Sequence, residues 1–393
     1  MRKKSWLFTS ILLSGCIALA GCGNQNASSS AGEGDKQKSS QKAVEIATSG
    51  PITINPEIAD KKILDKDPFG NPATSAKTLK LTEEEIEKVK EGNYTAAIVM
   101  HYTGTDYMTA QINALKTTFK RMGIKVIAVT DAQFKAEKEV SDIETVLAKK
   151  PDIIVSVPVD PVSTADAYKK AAAAGVKIVF MDGVANEMKP GKDYVSIVSG
   201  DNYGNGVEAA EIMADKLGGK GKIGVIFHDT DFFVTKQRTT AFEETIKKKY
   251  PDIKIVTRGG ITSPNDGEKV ASAMLTRNAD LDGIFAVWDV PGEGAVSAAR
   301  TAGKTDLVIT TTDLGTNVGL EMASDGVVKG LGAQLPFDQG IAEAILAGYA
   351  LLGKEAPPYV TTPALNVTKD NILDSWKLVY RQDAPATIQD AMK

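Results

Sequence analysis

From Tyr94 to Gln334 the chain alternates short β-rich apolar runs with amphipathic helical stretches, and that alternation confines it to α/β architectures. The runs at 94–100, 125–130, 152–157, 177–182 and 194–199 are nearly continuous in apolar character, as strands covered on both faces of a parallel sheet are. Helical stretches at 109–122, 136–149 and 165–174 separate them, the last stopped by Gly175. The pattern restarts at 222–228, 253–257, 283–288, 307–313 and 328–334. Two doubly wound parallel-sheet lobes are expected.

The halves also repeat each other. Pro-Asp-Ile-Ile-Val-Ser-Val-Pro-Val-Asp at 151–160 is echoed by Ala-Asp-Leu-Asp-Gly-Ile-Phe-Ala-Val-Trp-Asp at 279–289. Each leads into an alanine-rich helix, an Ala-Gly pair (Ala174-Gly175, Ala302-Gly303) and a strand that ends in Asp182 or Asp313. Similarity on the scale of a whole lobe means two related domains rather than a solenoid. Ligands of open α/β sheets bind beyond the carboxyl ends of the strands, which is where Asp160, Asp182, Asp289 and Asp313 fall. An ionised carboxylate accepts hydrogen bonds from adjacent hydroxyls, so facing carboxylates suit a polyhydroxylated ligand. The competing reading is helix capping. Asp160, followed by Pro161, reads as a cap, whereas at Asp182 and Asp313 no helix starts at once and ligand contact is preferred.

Composition narrows the class. Hydrophobic residues are 42% and charged residues 24% of 393, which fits neither a polytopic membrane protein nor a wholly disordered chain. A net charge of −4 argues against nucleic acid as a partner. The two cysteines, Cys16 and Cys22, lie in the first 22 residues, so disulfides and cysteine metal sites are excluded from the folded body. A basic start (Met1–Lys4) precedes an apolar run at 6–20 that is short for a membrane span and reads as an export signal. Its end, Leu19-Ala20-Gly21-Cys22, resembles the lipobox of bacterial lipoproteins, with an ordinary signal peptide and an incidental cysteine as the competing reading.

Residues 1–21 are thus expected to be a lipoprotein signal peptide and 22–42, which has no aliphatic side chain larger than alanine, a flexible tether. Residues 43–92 read as an irregular arm that ends in a short helix, marked by capping-box spacing at Thr82 and Glu85, apolar Ile86 and Val89, and a stop at Gly92.

From residue 94 to about 380 the chain resembles the ribose- and galactose-type periplasmic sugar-binding proteins. The resemblance is carried by the strand from Ala174-Gly175 to Met181-Asp182, by Asp201-Asn202 with Gly204 and Gly206, by Arg238 with Ala241-Phe242, and by Trp288-Asp289, Thr312-Asp313 and Gly332-Ala333-Gln334-Leu335-Pro336. It implies a type I periplasmic binding protein-like fold of two doubly wound parallel-sheet lobes on a three-crossing hinge, with crossings near 199–201, 334–337 and 357–363. The N-terminal lobe would hold 93–199 plus 336–362, the C-terminal lobe 200–335 plus 363–380, and 381–393 would be a tail. It also implies sugar acceptors at Asp182 and Asp313, a guanidinium at Arg238, a hinge glutamine at Gln334 and a stacking ring at Tyr107. Trp288 and Asp289 join them at the crevice. Gly183 stands where ribose binders often carry arginine, and Trp288 where they use asparagine, which points to a ligand shaped differently from ribose. Phe232 and Phe233 read equally as a second apolar wall or as core.

The function implied is that of an extracytoplasmic, lipid-anchored substrate-binding lipoprotein of an ABC importer that closes around a neutral sugar or polyol. Its partners would be the permease subunits and, through Cys22 alone, the bacterial cell membrane. A monomer with no cofactor, no metal and no nucleic acid is expected. A surface sensor for chemotaxis or signalling would share the same pocket. A carbohydrate-active enzyme is the minor alternative: His101 and His228 fall near the crevice, but no His-x-x-x-His, Gly-x-Ser-x-Gly or Walker sequence accompanies them.

Overall fold

Strands without an exposed face must pair every backbone group and be covered on both sides, and the apolar runs meet that demand in two separate sheets. The computed structural model describes residues 46–393; the expected signal peptide, Cys16, Cys22 and the expected tether lie outside the described residues. The strands are β1 (Thr74–Ser75), β2 (Thr95–Met100), β3 (Lys125–Asp131), β4 (Ile153–Ser156), β5 (Lys177–Met181), β6 (Ser196–Gly200), β7 (Gly221–His228), β8 (Ile253–Ile261), β9 (Gly283–Ala286), β10 (Val308–Thr312), β11 (Val328–Ala333), β12 (Tyr359–Thr362) and β13 (Leu365–Thr368). The helices are α1 (Glu83–Glu91), α2 (Asp106–Arg121), α3 (Ala136–Leu147), α4 (Ala165–Ala173), α5 (Asn202–Lys216), α6 (Phe233–Lys249), α7 (Gly267–Arg277), α8 (Asp289–Thr301), α9 (Thr316–Ala323), α10 (Pro336–Leu351), α11 (Ile372–Tyr380) and α12 (Ala386–Ala391).

The first sheet runs β1-β12-β6-β5-β4-β2-β3 and the second β13-β11-β10-β9-β7-β8. Without β1 the two orders are the same. Neighbours are parallel except β11 and β13, which are antiparallel. The duplication reaches single hydrogen bonds: Asp152 accepts from the Thr95 amide at 2.8 Å to start β2 beside β4, and Asp282 accepts from the Lys222 amide at 2.7 Å to start β7 beside β9. The sequence echo sets Asp152 against Asp280. Strand pairing sets it against Asp282, because Asp280 lies three residues before β9 and pairs with the Lys222 side chain instead.

Three crossings join the lobes. The chain leaves the first sheet after β6 and enters α5, which packs on β10 and β11; it returns from β11 into α10, which packs on α2 and β5. It passes over a third time between β12 and β13. The tight approach of α5 to α6 depends on Gly206, where a Cβ would lie 2.2 Å from the Arg238 carbonyl oxygen. The Thr82–Glu85 capping box forms in full, Ile86 and Val89 are buried, and Gly92 caps the helix end.

The segment before α1 differs from a purely irregular arm. It buries Ile52, Ile54, Ile58, Leu79 and Leu81, and its β1 adds an edge strand to β12. A strand of two residues carries no periodicity, so only its partner reveals it. The arm also touches both sides of the hinge. Asp65 accepts from the Tyr359 hydroxyl in the first lobe at 2.9 Å, while the Gln237 side chain of α6 donates to the Lys66 carbonyl at 3.1 Å and Lys61 pairs with Glu208 on α5. The stretch expected as a tail, 381–393, likewise forms α12, whose Ile388 is buried against Gly319 of α9.

Candidate functional site

Asp182 directly follows β5 and Asp313 directly follows β10, and both adopt left-handed backbone, with φ of +56° and +67°. Aspartate tolerates that conformation better than branched or bulky residues do. Each continues the ladder by one bond, the Asp182 amide to the Val198 carbonyl at 2.8 Å and the Asp313 amide to the Gly332 carbonyl at 3.0 Å. Asp313 is held on both oxygens: Gln334 donates to one at 2.8 Å and Arg238 to the other at 2.9 Å. Arg238 also donates from Nε to Asn202 at 2.7 Å and from Nη1 to Thr312 at 3.0 Å, so a cation that is only 4% exposed is held through two of its three nitrogens. Asp182 accepts from Ser199 at 2.7 Å, yet burial pushes its carboxyl up to about 6.

Asp289 opens α8 and accepts from the Val290 amide at 2.9 Å; burial, reinforced by Asp313, pushes its carboxyl well above the ordinary range. Trp288, just before it, is 7% exposed, and its indole N–H has no partner among the described residues. Tyr107 lies in the first turn of α2 and donates to the Gln339 side chain at 2.9 Å. Gln334 sits at the β11–α10 crossing and accepts from Gln339 at 3.2 Å.

The structure brings all seven residues singled out in the sequence to one inter-lobe cavity of about 170 Å³. Asp160 lies apart, accepting from the Val162 and Ser163 amides at 3.1 and 2.6 Å in a local turn.

Sequence reasoning missed much of the aromatic wall. Tyr102 and Phe134 stack with centroids 4.2 Å apart in the first lobe, and His101 faces Phe232 of the second lobe at 5.9 Å. Phe232 therefore lines this cavity, whereas Phe233 lines a neighbouring one. Tyr102 was findable, since it follows β2 as the aspartates follow their strands. Phe134 was not, because nothing local distinguishes it from any loop phenylalanine. Burial lowers the His101 imidazole to about 3 and lowers that of His228 too, so both present neutral rings at neutral pH. Among the described residues no cluster of side chains could hold a metal ion. Acceptors, one guanidinium and aromatic faces equip the cavity to bind a small polar molecule.

Asp106 of α2, between the cavity-lining Thr105 and Tyr107, accepts from both the amide and the hydroxyl of Thr316 in α9, each at 2.7 Å. The two lobes are thereby in direct contact.

Two like lobes on a triple crossing with a crevice between them define a hinged binding protein. The chain belongs to the periplasmic binding protein domain family, which it matches over residues 96–355 and which places it outside the cytoplasm. It is 27% identical over 217 residues to the ribose import binding protein RbsB of Bacillus subtilis, covering 55% of this chain and 68% of that one. It is 26% identical over 278 residues to the xylitol-binding protein of Mycolicibacterium smegmatis, covering 69% and 76%. The crystal structure of an ABC sugar transporter subunit from Rhodobacter sphaeroides superposes with a TM-score of 0.62 at 28% identity, over 71% of this chain and 99% of that one. An Agrobacterium vitis solute-binding protein bound to α-D-tagatopyranose shares the fold with a TM-score of 0.67 at 24% identity, over 74% and 100%. The chain is a substrate-binding protein and not an enzyme.

Proposed function

We propose that this protein is the ligand-binding lipoprotein of an ABC importer and closes around a neutral sugar or polyol. The observation that carries the reading is the convergence of Asp182 from one lobe with Asp313 and Arg238 from the other on one small cavity with aromatic walls. Hydroxyls donate to the carboxylates and accept from the guanidinium, and C–H faces lie on the rings. Among the lining residues Arg238 is the one permanent cation, and Asp313 already neutralises it. A uronic acid would bring its charge into a desolvated space with no free cation to meet it. Import is favoured over sensing because relatives such as RbsB are import proteins. The Leu19-Ala20-Gly21-Cys22 sequence supports a lipid anchor at Cys22, with 23–42 as its tether.

A thermal-shift panel of pentoses, hexoses, polyols, uronic acids and amino acids tests the ligand class. Stabilisation by a neutral sugar or polyol, and little by the charged compounds, is expected. A uronic acid that stabilises more than its neutral parent sugar overturns the reading.

A further inference from the structure

The ligand space does not end at Asp182. A second cavity of about 280 Å³ lies beside the first and shares Asp182, Phe232 and Val234 with it. Gly183 follows the shared Asp182 and lines the second cavity, and a Cβ added there would meet nothing within 4 Å, so the space beside the junction is unfilled. The far walls are Pro68 and Phe69 from the arm, Pro161 and Val184 from the first lobe and Phe233 from the second. Charged residues stay at the rim: the side chains of Glu187, Asp231 and Lys236 are 73%, 89% and 72% exposed. Phe69 is 61% exposed, a large ring left without cover over an apolar chamber. Both arm residues precede the stretch that matches the family, residues 96–355, so this chamber is partly built from chain that the family does not supply.

We infer that the second cavity is a subsite for an apolar substituent on the sugar, so that the substrate is a neutral glycoside with an aryl or similar apolar aglycone. This rests on the sugar-binding reading above. The sugar ring occupies the Asp182–Asp313 cavity, and the aglycone passes the gap at Gly183 and lies under Phe69. The polar groups of the chamber are Asp182 at the junction and Asn186, Glu187, Asp231 and Lys236 at the exposed rim, so a second sugar ring suits it less well: most of its hydroxyls would be desolvated against the proline, valine and phenylalanine of the far walls.

Titration calorimetry on the protein with D-ribose, D-xylose, D-galactose and D-glucose, and with the phenyl β-glycoside of each, tests this. For at least one pair the glycoside is expected to bind about tenfold tighter than the free sugar, the return on burying one apolar ring. Phe69→Ala should remove most of that gain. Gly183→Leu, which fills the gap from a position with open space, should likewise abolish the difference between glycoside and free sugar. Free sugars that bind while every phenyl glycoside binds equally or more weakly overturn the subsite and leave the sugar receptor intact. A gain that survives both substitutions, or one matched by the corresponding β-linked disaccharides, also overturns it. Failure of all eight compounds removes the sugar reading and the subsite with it.

Discussion

Asp182 and Asp313 occupy the same position in the two lobes, each just beyond the strand next to β4 or β9, each left-handed, each bonding its amide to the next strand. Duplication has placed two carboxylates face to face across the crevice. Their surroundings then diverge. Asp313 is fixed by Arg238 and Gln334, while the Asp182 side chain has, among the described residues, only Ser199 within hydrogen-bonding distance and keeps a raised pKa. Asp313 is thus a rigid, charge-compensated acceptor, while Asp182 is held by a single hydroxyl.

Asp182→Asn should preserve the fold, because asparagine also accepts left-handed backbone and keeps an oxygen for Ser199. Loss of one charged acceptor should weaken sugar binding by about 1.5–3 kcal/mol, read by calorimetry. Alanine is a poorer probe at φ of +56°, since strain would be added to the missing contact.

Affinity should also fall on acidification. Only the ionised Asp182 carboxylate accepts on both oxygens, and its pKa of about 6 lies above the ordinary value of 3.8, so protonation sets in as pH drops from 7 toward 5. Arg238 and Asp313, which face the same group, act in opposite directions on this value. Wild-type affinity measured between pH 5 and 8 should bend near 6, and the bend should be absent from Asp182→Asn.

The Asp106–Thr316 contact ties one lobe to the other, so opening of the crevice should break it and its loss should disfavour closure. Asp106→Ala removes both hydrogen bonds and should weaken binding about tenfold without touching the ligand. Thermal stability of the ligand-free protein should change little by comparison.

At the hinge, Asp65 is buried between Tyr359 and Asp201, and burial raises its carboxyl to about 7. The folded state therefore holds this proton more tightly than the unfolded chain does. The resulting stability is complete below about 3.8 and is lost as pH rises through 7. Asp65→Asn should be nearly neutral at pH 4 and more stable than wild type at pH 8 by on the order of 3 kcal/mol, seen in denaturant melts. Glu139 has a similar raised value, about 7, and remains in both proteins, so the difference between them isolates Asp65.

Much of this architecture was legible because it is written locally. A buried parallel strand is a continuous apolar run, and Asp182 and Asp313 announce themselves by interrupting one; Thr82 and Glu85 carry their capping geometry in their spacing alone. What was not legible depends on distant partners. Thr74–Ser75 is a strand only because Val360 and Thr361 lie beside it, and Phe134 is a wall only because Tyr102 stacks on it. Tyr107 illustrates the middle ground. Its position near the crevice was readable, but the engagement of its hydroxyl by Gln339 comes from the α2–α10 packing.

Replacement of Cys22 by alanine addresses anchoring separately. The variant should leave the membrane fraction and retain wild-type sugar affinity, measured on the released protein. Unchanged membrane association would remove lipidation from the account and leave the binding site as it stands.

The central claim is that two lobes close on a neutral sugar or polyol held between Asp182 and Asp313. Small-angle scattering of the protein, with and without the neutral compound that stabilises it most, measures that closure directly. The radius of gyration should fall on saturation, and Asp106→Ala should raise the ligand-free value or reduce the change. A profile that is the same with and without saturating ligand would contradict the account.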